Sequence, residues 1–584
     1  MANAQRIQRT LESAIGQFQS GNLDGAAELC SGLLKKQPKN HHALHILGAV
    51  RLKQNDPATA IKLLKSAAKR DPRNAEILAN LGAAYRMSGD PNQAIAALKK
   101  AVGLDPLNVS AKMNLGNAAS DAGDPETAVE AYSQVVALRP DHLDARSALA
   151  RQYQDLGQSG PALAQLRIIC DSDPQDPDPV NRMGSLLAEA GDHDQAIEYL
   201  RRALVRAPEN PDIRMNLANV LALNFAIDEA VALYDEALSK NADCPDLLCN
   251  LGNALSRAGR RQEAADCYRN VIAVHPDHAD AHASLANNLL ADGTFREGWS
   301  HYLYRPSTRA VSENLHRTPL PDDLSGKRVA VIADQGLGDQ VFFARFLPGL
   351  GLRGAETVYR PEARLADMLT RAEIADEIAP EKASLDAEYI VSAGDLPFLL
   401  GSGSSELPHP YPIPAHPERL AKLQDILSDF GPPPWTGVTW RAGTANVRLA
   451  LSKEIPVAEL AGAMRNSAGT QIVIQRNCAS DELAEYQSIV ERPVLDLSHF
   501  NDDIEDLLAL SSALDRYVGV SNTITHLRAA ALKPSDVLVP IPAEFRWMNA
   551  GSVSPWFPMN EIFRQLPDGS WRAACNALSQ KLET

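Results

Sequence analysis

One small residue recurs every 34 positions through the first half of this 584-residue chain: Ala14, Gly48, Gly82, Gly116, Ala150, Gly184, Ala218, Gly252 and Ala286. A fixed period of this length constrains the fold more than any other feature, because each unit must be one supersecondary element that buries its apolar face on its neighbours. Twelve residues after each marker stands another small residue: Ala26, Ala60, Ala94, Ala128, Ala162, Ala196, Ala230, Ala264 and Gly298. Side chains this small let two helices cross closely. Twenty-four residues after most markers comes proline (Pro38, Pro72, Pro106, Pro140, Pro174, Pro208, Pro276), which lacks the N–H that would continue a helix; Ala242 interrupts that series.

The pattern resembles the tetratricopeptide repeat, with nine consecutive helix pairs over about residues 7–312. The resemblance implies an all-α right-handed superhelix whose concave groove is lined by the first helix of each pair. Asparagines recur on that helix at Asn80, Asn114, Asn117, Asn216, Asn219, Asn250, Asn253 and Asn287, with Ala148 and Arg182 interrupting the series. A spacing of three puts two side chains on one helix face, and a primary amide both donates and accepts, so a ladder of amides can hold an extended peptide by its backbone. The arrangement resembles the asparagine ladder of O-linked N-acetylglucosamine transferases, which implies an acceptor-peptide groove. The alternative is that NLGN sequences serve helix packing. His275, His278 and His282 straddle a repeat boundary with no fourth ligand in view and read as loop and helix-start residues, so no metal is expected there.

The formal net charge of −16 argues against a nucleic-acid or anionic-membrane binder. The seven cysteines fall at irregular spacings with no CxxC pair, as expected of reduced thiols. The N-terminus carries no apolar core of signal-peptide length, and no run reaches the roughly 18 apolar residues of a membrane span. A cytoplasmic location without membrane insertion is the expectation.

Past a polar linker over residues 313–325, short β-rich runs alternate with helical ones, which predicts parallel sheets covered by helices over residues 326–584. Candidate strands are residues 327–334, 356–360, 387–391, 436–441, 470–476, 494–498, 515–521 and 536–541. The prolines of GPPPW divide the region into lobes over 326–430 and 431–584, both Rossmann-like, with a cleft between them. The first strand runs into Asp334-Gln335-Gly336-Leu337-Gly338-Asp339, followed by a helix from Gln340 to about Leu347. The glycines permit a tight turn and close backbone approach, and Asp339 at the helix start can act as a general base or favour the helix terminus electrostatically.

QGLGD with FARFLPGL, GVTWRAG, LSKEIPVAEL, VIQR, SNTITHLRAAALKP, FRWMN and SPWFPMNEIFRQ occur in the order found in bacterial tetratricopeptide-repeat glycosyltransferases, whose catalytic regions are similar to heptosyltransferases of the GT-B fold. The resemblance implies Asp339 as the catalytic carboxylate, Lys453 near the donor phosphates, and Asn522, Thr523 and His526 in the loop and helix start that receive the donor. Gly336, Gly338, Gln340, Arg441 and Gln475 complete the candidate donor site. Ser521 or Asn522 can cap the helix THLRAAALK, whose free N–H groups would face an anionic leaving group. With no DxD-type motif at a strand end, the reaction is expected to be metal-independent and without a cofactor. Heptosyltransferases carry aspartate where this chain has Asn522; a neutral amide there, with Arg441, suits a sugar that itself bears a carboxylate. The expected donor is a CMP-activated nonulosonic acid.

These features imply a protein O-glycosyltransferase that moves a sugar from a nucleotide donor to serine or threonine of a protein held by the repeats, with flagellin the favoured acceptor by family analogy. The alternatives are a repeat scaffold with a non-catalytic nucleotide-sugar-binding domain, and a transferase acting on a glycan or lipid-linked acceptor.

Overall fold

The computed structural model describes residues 2–311, 314–401, 407–442 and 453–583. Gly443 of WRAG and Leu451-Ser452 of LSKE lie outside the described residues, as do Ser312 and Glu313 of the linker. The chain divides into two compact units, Met1–Asn216 and Leu217–Thr584.

Eighteen α-helices, from Ala2–Gln19 to Phe295–Tyr302, form the repeats. Each marker glycine is where the two helices of a pair touch. A Cβ built on Gly82 would fall 2.4 Å from Leu98, on Gly116 2.4 Å from Tyr132, and on Gly184 2.6 Å from Leu200. The second-position alanines, Ala60, Ala94, Ala128 and Ala196 among them, are completely buried. The second helices of the second, third and fourth pairs open on an aspartate cap, Asp56, Asp90 and Asp124, each followed by proline at the first helical position, where no N–H is needed. They end just before the periodic prolines, at Lys36, Leu104, Leu138, Ser172 and Arg206. The turn between paired helices needs a left-handed residue, supplied by Gly21, Gly89, Gly123, Gly157, Gly191, Gly259 and Gly293, and by Asn55 and Phe225 in the two remaining units.

The second unit holds two parallel sheets. The first has the order β3-β2-β1-β4, from β1 (Arg328–Ile332), β2 (Glu356–Arg360), β3 (Glu377–Ile378) and β4 (Tyr389–Ser392). The second, of six strands, has the order β10-β9-β8-β5-β6-β7, from β5 (Trp435–Val438), β6 (Thr470–Val473), β7 (Leu495–Asp496), β8 (Arg516–Val520), β9 (Asp536–Val539) and β10 (Glu561–Arg564). Numbered within itself, that sheet reads 3-2-1-4-5-6, the doubly wound order, whose ligand crevice lies where the order reverses, at the carboxyl ends of β5 and β8. All eight expected strand regions contain strands, β2 over the expected residues and the other seven shorter; the two-residue β3 and the edge strand β10 were absent from the expectation.

One core runs through this unit from Leu290, Phe295 and Trp299 of the last repeats to Val329, Phe342, Leu510 and Trp556. Trp299 meets Tyr302, Phe343, Phe545 and Trp556 edge-on at 5.3–6.3 Å between ring centroids. The final helix pair therefore contributes to the core of the sheet region.

Candidate functional site

The turn after β1 leads into the helix Leu337–Phe343, which starts three residues earlier than expected and places Asp339 inside its first turn. Gly336 caps that helix at φ −64°, a conformation open to any residue, so its lack of a side chain is not used for a tight turn. Gly338 is different. A Cβ there would lie 2.9 Å from His526 Cδ2 and 3.3 Å from Thr523 Cα, so the turn from the first sheet backs directly onto the helix start from the second.

That second element is the helix Thr523–Ala530, after β8. Asn522 is its cap: Oδ1 accepts from the Ile524 and Thr525 N–H groups at 3.0 and 3.2 Å, while Nδ2 donates to Tyr517 Oη and Thr439 Oγ1 at 2.9 and 3.0 Å. Of the two expected cap residues, Asn522 is the one that caps the helix, and its amide bonds its own helix start and two buried hydroxyls.

Asp339 Oδ1 accepts from Nη2 of the buried Arg546, whose other terminal nitrogen lies 3.5 Å from Glu544 Oε1. Glu544 in turn pairs with Lys453 Nζ at 2.6 Å and accepts from Ser521 Oγ at 2.7 Å. The result is an alternating chain of four charges, Asp339, Arg546, Glu544 and Lys453, beside the start of the 523–530 helix. Burial alone would raise the Glu544 carboxyl, but Lys453 and Arg546 outweigh it and hold the group at about 2. Arg546 is driven down by burial, yet Asp339 and Glu544 leave it above the usual guanidinium range. His526 is held well below the ordinary imidazole value by burial and then by Arg546, so it is neutral, with Nδ1 buried and without a partner among the described residues. Arg345, which donates to the carbonyls of Phe342 and Trp556, is pushed down to about 9 by burial and by Arg546.

Three other expected donor residues serve the scaffold. Gln475 is fully buried, accepts from the Trp440 and Arg441 N–H groups at 3.0 Å, and donates to the carbonyls of Arg441 and Arg476. Gln340 joins Gln335 O to the Glu362 N–H. Arg441 forms a fork with Glu482 at 2.8 and 3.1 Å and donates to the carbonyls of Arg476 and Asn477. The Arg441 side chain is thus engaged with one carboxylate and two backbone carbonyls.

At the corresponding crevice of the first sheet, between the carboxyl ends of β1 and β4, Arg305 is buried against Asp334 at 2.6 Å, Asp395 at 2.5 Å and Ser392 at 2.8 Å. This residue comes from just beyond the last repeat helix and fills the place where such sheets take ligands.

The ladder asparagines fall into two sets. Asn80 reaches His45 at 2.8 Å and Asn216 reaches Asn181 at 3.1 Å, each across 35 residues to the preceding unit; Arg182 does the same to Ser147 at 2.8 Å. Asn114 and Asn250 are half-buried on the same helices. Asn117, Asn219 and Asn253 instead accept from Tyr132, Tyr234 and Tyr268, each fifteen residues on, at 2.7, 2.5 and 2.8 Å. For these three the packing alternative holds: the marker residue leaves room for the tyrosine ring and the next residue takes its hydroxyl. Asn287 donates to Ala543 O at 3.3 Å and accepts from the Phe545 N–H at 2.9 Å, which removes it from the expected groove. His278 caps the helix Ala279–Ala291, and His282 bonds Pro276 O and His301 at 2.8 Å each.

Sequence reasoning passed over Arg546, Glu544 and Arg305. FRWMN was recognised as a motif, yet nothing local tells that its arginine will be buried opposite an acid 207 residues away. The Asn–Tyr spacing of fifteen, by contrast, is readable in the sequence four times.

Models of the tetratricopeptide repeat match residues 51–113, 119–181, 181–245 and 221–287. Protein FlbA of Caulobacter vibrioides is 27% identical over 327 residues, covering 50% of this chain and 53% of FlbA; the chain thus spans about half the length of this curated relative. Among solved structures, MamA is similar at 25% identity with a TM-score of 0.27, covering 29% of this chain and 92% of MamA. A tetratricopeptide-repeat protein of Thermus thermophilus is 28% identical with a TM-score of 0.25, covering 31% of this chain and 99% of its own. Among the described residues no helix is long and apolar enough to cross a membrane. The first half of the chain is a run of tetratricopeptide repeats, an architecture that presents extended surfaces to protein partners.

Proposed function

We propose that the chain is a cytoplasmic protein O-glycosyltransferase: the repeats hold a protein acceptor, and residues 326–584, as a GT-B-like pair of lobes, transfer a sugar from a nucleotide donor to its serine or threonine hydroxyl. The observation that carries this reading is the contact of Gly338 with His526 and Thr523. It sets an acid from one parallel sheet beside a charged cluster and helix start at the carboxyl ends of the other.

In the proposed reaction the acceptor oxygen forms a bond to the anomeric carbon as the bond from that carbon to the donor phosphate breaks. The electron pair leaves with the nucleotide, and the acceptor proton passes to Asp339. Arg546 occupies Oδ1 and fixes the carboxylate, leaving Oδ2 for the hydroxyl. A carboxylate suffices as proton acceptor because the acceptor oxygen becomes strongly acidic as it bonds to carbon. Lys453 and neutral His526 lie where negative charge grows on the departing phosphate. The donor to test first is a CMP-activated nonulosonic acid and the acceptor flagellin, on the family resemblance.

The pinned Asp339 also favours a second reading, a scaffold that binds the nucleotide sugar without turning it over. Incubating the full chain with donor and unmodified flagellin separates the two. Flagellin-dependent release of CMP is expected; CMP binding without release selects the scaffold.

A further inference from the structure

Four units carry asparagine fifteen residues before tyrosine, and three of them close the pair. The ninth does not. Asn287 instead holds the backbone at Ala543 and Phe545 from both sides, by one donated and one accepted hydrogen bond. Its would-be partner Tyr302 turns the other way and donates to Gln335 Oε1 at 2.9 Å. The segment that Asn287 grips contains Glu544 and leads directly into Arg546, the groups that bond Ser521, Lys453 and Asp339. The residue that Tyr302 grips precedes Gly336 and the turn to Asp339. Breaking one repeat-internal hydrogen bond has thus freed two side chains, each of which holds one arm of the Asp339–Arg546 pair.

We propose that Asn287 and Tyr302 are positioning residues of the transfer site, so that the ninth repeat is a working part of the catalytic centre rather than of the peptide groove. The proposal rests on the reading of Asp339 given above. Asn287 acts through Arg546 and Glu544; it touches neither donor nor acceptor.

The test uses the full chain, comparing wild type with Asn287→Ala, Asn287→Asp and the control Asn253→Ala, which removes the same amide from an ordinary pair. Two readouts are taken: hydrogen exchange at the Phe545 amide, and transfer from CMP-nonulosonic acid to flagellin with kcat and donor KM determined separately. In Asn287→Ala the Phe545 amide loses protection, and kcat falls by about 10- to 100-fold with the donor KM little changed. Asn287→Asp keeps the acceptor for the Phe545 N–H and recovers part of the rate. Asn253→Ala changes none of these. An Asn287→Ala enzyme with wild-type kcat, or with Phe545 protection intact, overturns the proposal. If wild type transfers no sugar, the reading of the site fails and with it the catalytic role of Asn287, while the exchange measurement still decides whether Asn287 holds the 543–547 segment.

Discussion

Asp339 and Arg546 stand 207 residues apart in the chain and meet as a carboxylate held by a buried guanidinium. The pair joins the turn after β1 to the segment after β9, and so ties one sheet to the other at the carboxyl ends of their strands. Through Arg546 the acid is linked to Glu544 and Lys453, and through Gly338 to the 523–530 helix.

Removing the guanidinium leaves Glu544 with Lys453 as its one remaining cation and Asp339 with none in the chain of four. Arg546→Leu is expected to destabilise the second unit by about 3–5 kcal/mol, the usual cost of breaking a buried pair from one side. Urea unfolding followed by tryptophan fluorescence reads it, because Trp299, Trp440, Trp547 and Trp556 are all buried in this unit. A loss below about 1 kcal/mol, the range of an exposed pair, would mean the ion pair is solvated.

Gly338→Ala puts a methyl group 2.9 Å from His526 and 3.3 Å from Thr523. One contact is with backbone, which cannot step aside as a side-chain end can. The expected cost is about 1–3 kcal/mol, with sugar transfer lost, since the lobes can only part at the turn that carries Asp339. Gly336→Ala has no such contact and should retain transfer.

Within the repeats, two glycines make opposite predictions. Gly116→Ala drives a methyl into the Tyr132 ring, 2.4 Å away, and should cost about 1–3 kcal/mol. Gly103, in the helix Pro91–Leu104, has open space around it, and Gly103→Ala should add about 0.5–1 kcal/mol through helix propensity. Thermal unfolding of both variants checks the pair; the same sign for both would contradict the account of the 34-residue marker.

His526 gives the second unit a pH dependence. Its folded value lies well below 6.5, so its contribution is complete above the unfolded value of about 6.5 and is lost as pH falls, because the unfolded chain takes up a proton that the buried ring refuses. One such group gives a slope of at most about 1.4 kcal/mol per pH unit. His282 and His301 are also lowered, mainly by burial, and remain in both proteins when wild type is compared with His526→Leu. The gap between the two stability curves should close between pH 6.5 and 5. A constant gap would mean that His526 is protonated in the folded state.

What could be read from the sequence follows physical range. The repeat was legible because helix crossing, capping and termination are local and recur: Gly82, Asp90 and Pro106 each act within some twenty residues of chain. Strand positions were legible from β-branched runs, while the two-residue β3 and the edge strand β10 carry too little local signal. At the site, residue types were legible and partners were not. Gln475, Arg441 and Asn522 are polar residues at strand ends, where a ligand and a buried backbone group ask for the same donors and acceptors; in all three the backbone or a neighbouring side chain takes them. Arg546 and Arg305 depend on tertiary pairing over long separations, which one sequence does not encode in any local pattern.

The most direct test is the intact mass of flagellin co-expressed with this chain and a nonulosonic-acid pathway, wild type against Asp339→Asn. The account predicts a sugar-sized increase in mass with wild type, and none with the variant although it still binds flagellin. An increase that persists in Asp339→Asn would clear that acid of the role of base, and flagellin that stays unmodified with wild type while bound to the repeats would contradict the transferase itself.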